Sequence, residues 1–468
     1  MSHASVLPEL PATIHLVGIG GIGVSGLARI LVDRGYTVTG SDLADGPMLN
    51  DLRGLGIRVS IGHDAGNVDG AELVVTTAAA RATNPELAEA IRQGIPIIKR
   101  AQLLGELASA RTCIAVAGSH GKSTTSGMFA VALSAAGLDP SYAVGAIIPQ
   151  LGANAAPGEG RHFVVEADEY DYSFLTLAPD VALITNIEHD HPDLFPDLSA
   201  IDDAYQQFVQ RIKPGGVLVL GIDDPGCVRL HRWISSQPDG PRIVTVGRSE
   251  DADWSLNDQH EPAVIRTHDR QLLTLSLGVP GAHNRVNAAM VLASCAKLDL
   301  DLDKILAGLE RFEGVGRRFD LRAEIDGVRI FDDYAHHPTE LRATIQATRE
   351  RFPDSRIWAV FQPHTYSRTR QLLHEFAAAL DEADDVRLVE IYPARETDTL
   401  GMSSGSIAHL MNRDADVYAS PADAAESLAF DVRAGDVVLF LGAGDIWQAA
   451  PILIERLTDR ANADDRND

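Results

Sequence analysis

The chain of 468 residues carries 40 Lys and Arg against 66 Asp and Glu, which gives a formal net charge of −26. Its composition is 45% hydrophobic and 23% charged, as in ordinary globular proteins, and its length predicts about two to four domains. Non-specific binding to nucleic acid or to an anionic membrane needs basic patches, and an acidic chain argues against both. We therefore expect no nucleic-acid partner and no insertion into a membrane.

The cysteines and the N-terminal residues indicate a cytoplasmic protein. Cys113, Cys227 and Cys295 are widely spaced and form no CxxC pair, which argues against a disulfide framework and against structural zinc. The first residues lack a basic segment followed by an apolar one, so no signal peptide is predicted, and no apolar run reaches the roughly 18 residues of a membrane span. We expect a monomer or a homodimer.

In chain order, the first segment alternates short apolar strands with helical spacing. The pattern predicts strands at 13–17, 36–40, 73–77 and 95–98, and a helix over 25–34. Alternation of this kind is typical of a parallel, doubly wound α/β sheet.

A glycine-rich turn, Gly18-Ile19-Gly20-Gly21-Ile22-Gly23, joins the first strand to the first helix. Asp42 lies near the end of the second strand, about twenty residues further on, as in dinucleotide-binding fingerprints. The glycines permit a tight turn, and the helix N-terminus offers amides to a pyrophosphate. NAD and a UDP-sugar both present a pyrophosphate and a ribose, so the turn alone does not choose between them. A tight turn without a ligand is the remaining interpretation.

A second segment begins near Arg111 and contains a phosphate-loop sequence. A strand at 113–117 leads into Gly118-Ser119-His120-Gly121-Lys122-Ser123-Thr124, and a helix is predicted over 124–136. The amides of such a loop surround phosphates, Lys122 neutralises them and the Ser123 hydroxyl binds Mg²⁺. Val116 stands where the common pattern has its first glycine. The strand, the glycines and the helix together still favour an ATP site over a chance match.

Two acidic clusters follow neighbouring strands of this segment. Glu166-Ala167-Asp168-Glu169 ends the strand at 163–166, and Asn186-Ile187-Glu188-His189-Asp190-His191 ends the strand at 181–185. The carboxyl ends of parallel strands face one crevice, so both clusters are expected beside the phosphate loop. Carboxylate and imidazole there suit a divalent metal bound to the nucleotide, and solvated loop charges are the alternative. Residues 264–277 alternate as in an antiparallel hairpin.

A third α/β segment follows the stretch Gly314-Val315-Gly316-Arg317-Arg318, with strands at 329–331, 357–361, 386–391 and 437–441. The arginine pair is either a solvated linker or a source of arginine for the γ-phosphate from a mobile domain. His283, Asn284 and Asn287 open a helix after Gly281, and helix capping alone would explain them.

Three polar motifs, at 332–340, 362–368 and 441–445, follow strands of the third segment. They are expected at one edge of the sheet, where we place the second substrate. The adjacent His336 and His337 do not indicate zinc, because consecutive side chains diverge and no further spaced ligands follow.

In this order, the motifs resemble the Mur ligase family over nearly the whole chain, from Ile14 to Trp447. The pieces that carry the resemblance are HLVGIGGIGVSGLA at 15–28, GSHGKSTT, EADEYD, NIEHDH, HHPTE and FQPHTYSRT. The resemblance implies an α/β protein of three domains. They are an N-terminal Rossmann-like domain for a UDP-sugar at 1–108, a central P-loop ATPase-like domain at 109–318, and a C-terminal Rossmann-like domain for an amino acid at 319–468.

The resemblance also implies roles for individual residues. Those implied to bind the UDP-sugar are Gly18, Gly20, Gly21, Gly23, Ser25 and Asp42, with His120 near the muramoyl group. Those implied to bind ATP are Gly118, Ser119, His120, Gly121, Lys122, Ser123 and Thr124, then His283, Asn284 and Asn287 at the adenine nucleotide and Arg318 at the terminal phosphates. The implied magnesium ligands are Ser123, Glu166 and His191. Those implied near the amino acid and the reacting carboxylate are His336, Arg368 and Asp445.

Within the family, the sequence is most similar to the alanine-adding branch. That similarity implies that ATP and Mg²⁺ are used to join L-alanine to the lactyl carboxylate of UDP-N-acetylmuramate through an acyl phosphate, in peptidoglycan precursor synthesis. Gln206 and Gln207 occupy the region where several relatives carry a carbamylated lysine, so we do not predict that modification. Thr365 stands where many relatives in this branch have arginine, and the contact of that arginine is not carried over.

Three alternatives stay open from the sequence. A ligase that attaches a whole peptide to UDP-N-acetylmuramate, as in wall recycling, shares most motifs, although the GIGGIG turn and Ser25 favour alanine addition. An NAD-dependent dehydrogenase would leave the phosphate loop, the Glu166 and His191 pair and Arg318 without roles. A nucleotide-binding switch would have no enzymatic activity.

Overall fold

The computed structural model describes residues 6–77, 80, 83–192 and 194–464, and three β-sheets of five, ten and six strands organise it. The described residues form two compact units. Within the described residues, the first unit takes in those between 6 and 189, 197–277 and 286–313, and the second takes in those between 190 and 196, 278–285 and 314–464. The five- and ten-stranded sheets lie in the first unit and the six-stranded sheet lies in the second.

The five-stranded sheet is parallel throughout, with the order β3-β2-β1-β4-β5. Its elements are β1 Thr13–Val17, α1 Ile22–Asp33, β2 Thr37–Asp42, α2 Pro47–Gly54, β3 Arg58–Ile61, β4 Leu73–Thr76, α3 Pro85–Gln93, β5 Ile97–Lys99 and α4 Arg100–Ser109. The chain adds strands on one side of β1 and then on the other, which confirms the doubly wound arrangement. The glycine turn after β1 therefore lies where strand order reverses, the usual ligand position in such sheets.

The ten-stranded sheet has the order β15-β14-β13-β12-β11-β10-β6-β9-β7-β8. Its elements are β6 Thr112–Ala117, α5 Lys122–Ala135, β7 Ser141–Ile148, β8 Ala153–Ala156, β9 His162–Glu166, β10 Val181–Ile184, α6 Leu198–Val209, β11 Val217–Gly221, α7 Pro225–Ser235, β12 Arg242–Gly247, β13 Trp254–Asn257, β14 Ala263–Arg266, β15 Leu272–Leu275, α8 Ala282–Lys297 and α9 Leu302–Glu310. Strand β6 lies between β9 and β10 and is parallel to both. Both acidic clusters therefore start at the strand ends that flank the phosphate loop, as predicted. The antiparallel β14–β15 pair confirms the predicted hairpin.

The six-stranded sheet has the order β16-β17-β21-β18-β19-β20, with β16 as an antiparallel edge. Its elements are β16 Asp320–Ile325, β17 Val328–Asp333, α10 Pro338–Arg351, β18 Ile357–Phe361, α11 Tyr366–Gln371, α12 Leu373–Leu380, β19 Asp385–Val389, α13 Ser404–Ala408, β20 Asp416–Tyr418, α14 Pro421–Asp431, β21 Val437–Leu441 and α15 Ala449–Asp464. Buried clusters cover both faces of the sheet, one around Phe361 and Leu439 and the other around Val360 and Phe440. Alternate residues of β18 and β21 thus enter opposite cores, which explains why these strands are continuous apolar runs.

Strand β21 lies between β17 and β18, and all three are parallel. The three polar motifs of the third segment therefore emerge at one edge of this sheet, as the sequence predicts. Each sheet lies inside one of the three predicted domain ranges, and the boundaries near residues 108 and 318 stay predictions. None of the helices in the described residues has the length and apolar character needed to cross a membrane.

Candidate functional site

The phosphate loop between β6 and α5 depends on two glycines in the left-handed region. Gly118 has φ +134° and Gly121 has φ +82°, conformations that residues with a Cβ rarely adopt. A Cβ on Gly118 would lie 2.0 Å from the Thr185 hydroxyl oxygen. Helix α5 begins at Lys122, two residues before the predicted start, because Gly121 turns the chain directly into the helix. The amides of this first helical turn are therefore part of the loop.

The end of β10 fixes the shape of the loop. The Thr185 hydroxyl donates to the His120 carbonyl at 2.6 Å, and the Asn186 side chain accepts from the His120 amide at 2.8 Å. The Asn186 carbonyl accepts from the Ser119 amide at 3.0 Å. The Ser119 hydroxyl also accepts from the Glu188 amide at 2.9 Å. The sequence predicts that the cluster beginning at Asn186 lies beside the phosphate loop, but it predicts no hydrogen bond from Thr185 or Asn186 to the loop.

Lys122 lies folded back on its own loop and paired with a buried carboxylate. Its Nζ is 2.8 Å from Glu169 Oε2, 2.7 Å from the Gly118 carbonyl and 3.2 Å from the Ser119 carbonyl. Burial alone would lower the pKa of Lys122, but Glu169 and Asp168 raise it above its usual value. Lys122 is therefore a cation at neutral pH. Glu169 pairs with this charge. The sequence predicts the cluster 166–169 beside the phosphate loop but predicts no individual role for Glu169.

Ser123 and Glu166, two of the predicted magnesium ligands, lie together. The Ser123 hydroxyl donates to Glu166 Oε1 at 3.0 Å, and Glu166 Oε2 accepts from the Gly145 amide at 2.6 Å. A hydroxyl and a carboxylate are the oxygen donors that Mg²⁺ prefers, so this pair fits the metal. Asn287 also lies beside the loop, since a Cβ on Gly121 would come within 3.2 Å of its amide nitrogen. His191, the third predicted ligand, belongs to the second unit.

Several amides of the glycine turn after β1 donate hydrogen bonds to the end of β2. The Ser41 carbonyl accepts from the amides of Gly18 and Ile19 at 2.8 and 3.0 Å. Asp42 Oδ2 accepts from the Gly20 amide at 2.8 Å. The carboxylate of Asp42, predicted to bind the sugar nucleotide, thus contacts the turn itself in this structure. The end of β2 therefore shapes the turn.

The first turn of α1 offers the remaining amides. Val24 and Ser25 direct their amides to the Gly21 carbonyl. The amides of Ile22 and Gly23 have no acceptor among the described residues, as is usual for the first residues of a helix. The buried Ser25 hydroxyl donates to the Ile22 carbonyl at 3.0 Å. Of the predicted diphosphate contacts in this turn, the Gly23 amide is best placed to meet a ligand.

In the second unit, the predicted phosphate-binding arginine is held by two neighbours. Arg318 donates to Glu340 Oε1 at 3.0 Å, and its guanidinium lies 5.3 Å from the centre of the Tyr334 ring. The guanidinium of Arg317 lies 4.9 Å from the centre of the same ring, and Arg317 Nε donates to Asp332 Oδ2 at 3.1 Å. Both arginines therefore have defined side-chain partners, and the pair is not a solvated linker.

His336 is a neutral imidazole of defined orientation. Its Nδ1 lies 2.9 Å from the Tyr334 carbonyl, which only accepts, so Nδ1 carries the proton and Nε2 is free of one. Its backbone amide donates to Glu340 Oε2 at 3.0 Å. Burial lowers the pKa of His336 to about 3. A base of that pKa is poorly matched to proton abstraction near neutral pH.

Arg368 is 4% exposed and forms a buried ion pair. Its Nε and Nη2 donate to Asp190 Oδ1 at 3.0 and 2.7 Å, and its Nη1 lies 3.2 Å from His364 Nδ1. Burial alone would raise the pKa of Asp190, but Arg368 holds it well below its usual value. Burial and Arg368 lower the pKa of His364 to about 4. The sequence predicts Asp190 only as a member of the cluster 186–191 and His364 only as a member of the motif 362–368, without an individual role for either residue.

The other predicted residues of the second unit lie at two places. Asp445 Oδ1 accepts from the Gln362 side chain at 2.7 Å, which joins the ends of β21 and β18. The Asn284 side chain donates to the Pro280 carbonyl at 2.7 Å, beside Gly281 at φ +100°. His283 follows the same glycine at the start of α8.

Comparisons with known proteins give the family. Three family models match in order: "Mur ligase family, catalytic domain" at residues 13–112, "Mur ligase middle domain" at 116–295 and "Mur ligase, glutamate ligase domain" at 317–444. The chain belongs to the Mur ligase family. This Mur ligase is 45% identical over 473 residues to the UDP-N-acetylmuramate–L-alanine ligase of Mycolicibacterium gilvum, covering 98% of this chain and 99% of that one. It is 43% identical to the enzyme of the same name from Paenarthrobacter aurescens, covering 95% and 97% of the two chains.

Solved structures agree with the family assignment. The Mur ligase superposes on UDP-N-acetylmuramate-alanine ligase MurC of Thermotoga maritima with a TM-score of 0.80 and 30% identity, covering 96% of this chain and 100% of that one. A murein peptide ligase from Psychrobacter arcticus has the same fold, with a TM-score of 0.71 and 24% identity, covering 95% and 98% of the chains.

Proposed function

We propose that this Mur ligase uses ATP to join L-alanine to the lactyl carboxylate of UDP-N-acetylmuramate, giving ADP and phosphate, in peptidoglycan precursor synthesis. The observation that carries the proposal is the loop of residues 118–123, with a half-buried cationic lysine and a Ser123–Glu166 oxygen pair at the carboxyl ends of neighbouring strands. The enzymes that share 43–45% of its sequence bear the name of this activity. The reaction is assigned to the cytoplasm, where ATP and UDP-sugars are available.

The chemistry explains why ATP is consumed. A carboxylate is a poor acylating agent because its leaving group would be oxide, whereas an acyl phosphate releases phosphate readily. The lactyl carboxylate oxygen attacks the γ-phosphorus, ADP leaves, and the amine of L-alanine then displaces phosphate from the acyl carbon. The protein supplies positioning and charge neutralisation rather than covalent chemistry.

Lys122 neutralises phosphate charge in this proposal. Its present partner is Glu169, so ATP must compete with that carboxylate for the lysine. Ser123 and Glu166 would hold Mg²⁺, and the metal when bound would neutralise further phosphate charge. His191 stays assigned to the metal by the family resemblance. Arg318 is assigned to the terminal phosphates and His283, Asn284 and Asn287 to the adenine nucleotide.

The amine must be neutral to attack, so a base is required. His336 has the correct acceptor nitrogen, Nε2, but its pKa of about 3 makes it a weak base. We therefore assign His336 to orientation of the amine, and a carboxylate to proton removal. Arg368 and Asp445 stay assigned to the amino-acid region, and His120 to the muramoyl group.

A phosphate-release assay tests the proposal. With UDP-N-acetylmuramate and ATP, L-alanine should give faster release than glycine, L-serine or the tripeptide used by peptide ligases. Preference for the tripeptide would favour the wall-recycling alternative, and no release with any acceptor would favour a nucleotide-binding switch. If the lactyl carboxylate carries ¹⁸O, the label should appear in the released phosphate; unlabelled phosphate would exclude the acyl phosphate. NAD binding would support the dehydrogenase alternative.

A further inference from the structure

A buried polar network lies behind the glycine turn, and Glu86 is at its centre. The Glu86 side chain is 0% exposed, although it is a carboxylate in the first turn of α3. Three side chains donate to it. Ser41 Oγ lies 2.8 Å and His63 Nδ1 3.0 Å from Oε2, and Asn67 Nδ2 lies 2.7 Å from Oε1. Carboxylates are rarely buried so completely without a structural or functional reason.

His15 and the N-terminus of α3 also lie beside the Glu86 carboxylate. His15 Nε2, which is buried without a hydrogen bond, lies 3.6 Å from Glu86 Oε1, and His15 Nδ1 lies 2.9 Å from the Thr39 hydroxyl. The helix N-terminus favours a negative charge at this position. Burial alone would raise the pKa of Glu86, but His15, Asn67 and Ser41 lower it to about 2. Glu86 is therefore charged throughout the physiological range.

Ser41 connects this network to the turn. Its hydroxyl donates to Glu86, while its carbonyl accepts from the amides of Gly18 and Ile19 at 2.8 and 3.0 Å. One residue, 0% exposed, thus holds the buried carboxylate with its side chain and the glycine turn with its backbone. A shift of Ser41 moves the turn and, with it, the free amides of Ile22 and Gly23.

We propose that Glu86 is a positioning residue that acts through Ser41 to hold the glycine turn in the conformation that binds the UDP-sugar diphosphate. This inference rests on the proposed assignment of the turn to UDP-N-acetylmuramate. Glu86 does not contact the substrate, and its effect is confined to the sugar-nucleotide side of the reaction.

Two variants separate positioning from folding. Glu86→Gln keeps the size of the side chain and removes the charge, and Ser41→Ala removes only the hydroxyl and keeps the carbonyl that holds the turn. Glu89→Gln, in the same helix, is the matched control, because Glu89 pairs with Arg92 at the surface. If Glu86→Gln fails to fold, Ser41→Ala carries the test alone.

The measurements are calorimetric titration with UDP-N-acetylmuramate and steady-state kinetics. We expect both test variants to weaken binding and raise KM for UDP-N-acetylmuramate by on the order of tenfold, with KM for ATP and kcat within about twofold of wild type. The control should match wild type. Equal loss for both substrates, or unchanged sugar-nucleotide binding in variants of a wild type that binds it, would overturn the inference. Failure of the wild type to bind UDP-N-acetylmuramate would instead overturn the proposed function.

Discussion

The ion pair between Lys122 and Glu169 gives the sharpest test of the phosphate loop. Lys122→Met replaces the ammonium by an apolar group of similar length and removes the cation that pairs with Glu169, which is 0% exposed. At 2.8 Å the direct attraction is about 6 kcal/mol for an effective dielectric constant of about 20, before the cost of desolvation is subtracted. Removing one partner of a buried pair typically costs about 3–5 kcal/mol. We expect a loss of unfolding free energy of that size.

In the double variant Lys122→Met/Glu169→Gln, we expect the stability to recover while the turnover does not. Replacing both charges also removes the buried negative charge of Glu169, so the stability should return to within about 1–2 kcal/mol of wild type. Turnover should stay at least about 100-fold below wild type in both variants, because the loop then lacks the ammonium that helps to neutralise the phosphates in the transition state. Binding of UDP-N-acetylmuramate should be retained.

Calorimetric melting without ligands measures the first effect, and phosphate release measures the second. Wild-type turnover in Lys122→Met would refute the role of the lysine. An unchanged melting temperature in the single variant would refute the inference that Glu169 depends on this cation. Recovery of turnover in the double variant would show that the lysine serves only to neutralise Glu169.

Three further predictions concern other parts of the structure. Gly118→Ala should abolish ATP binding because its Cβ would lie 2.0 Å from Thr185 Oγ1, whereas Gly137→Ala, at φ +76° with open space around it, should bind ATP normally; equal effects in equilibrium binding would contradict the steric argument. Thr365→Gly should raise the melting temperature by an amount equivalent to about 1 kcal/mol, because Thr365 has φ +69°, and a fall would contradict the assigned strain. The pKa of His336 is lowered to about 3 from an ordinary value of 6.5, so its neutral form contributes stability that is fully present above about pH 6.5 and is lost as the pH falls through that window towards 3. The free energy of unfolding should therefore depend less on pH in His336→Gln than in wild type. An acid limb of kcat/KM above pH 5 should survive that substitution, and loss of the limb would contradict the assignment of proton removal to a group other than His336.

The sequence was sufficient for the architecture because its signals are local. The apolar strands, the glycine turns and the polar residues after each strand predicted three α/β segments, and the sheets confirm them. It also predicted that Glu166 and the 186–191 cluster start beside the phosphate loop. That prediction succeeded because in a parallel sheet every carboxyl end faces the same edge.

The sequence did not predict which side chains pair with each other, because the pairs depend on strand order and packing. Glu169 lies in the EADEYD motif with three other acidic residues, and nothing local in the sequence predicts which of them pairs with Lys122. Asp42 shows the converse case, since its spacing predicts a contact with the sugar nucleotide while its carboxylate accepts a hydrogen bond from the Gly20 amide. Glu86 carried no motif signal, because its importance arises from burial beside Ser41.

The two turns of the first unit that we propose to bind phosphate follow one construction rule. Each turn is shaped by the end of a neighbouring strand: Thr185 and Asn186 after β10 hold the ATP loop, and Ser41 and Asp42 at the end of β2 hold the glycine turn. In each case, residues at the end of the neighbouring strand accept hydrogen bonds from amides of the turn. The amides at the N-terminus of the following helix then remain for a ligand. Preorganisation of this kind means that affinity for phosphate depends on residues that never touch it. Substitutions at Thr185 and Ser41 should therefore affect ATP and the UDP-sugar separately, although both lie in the same compact unit.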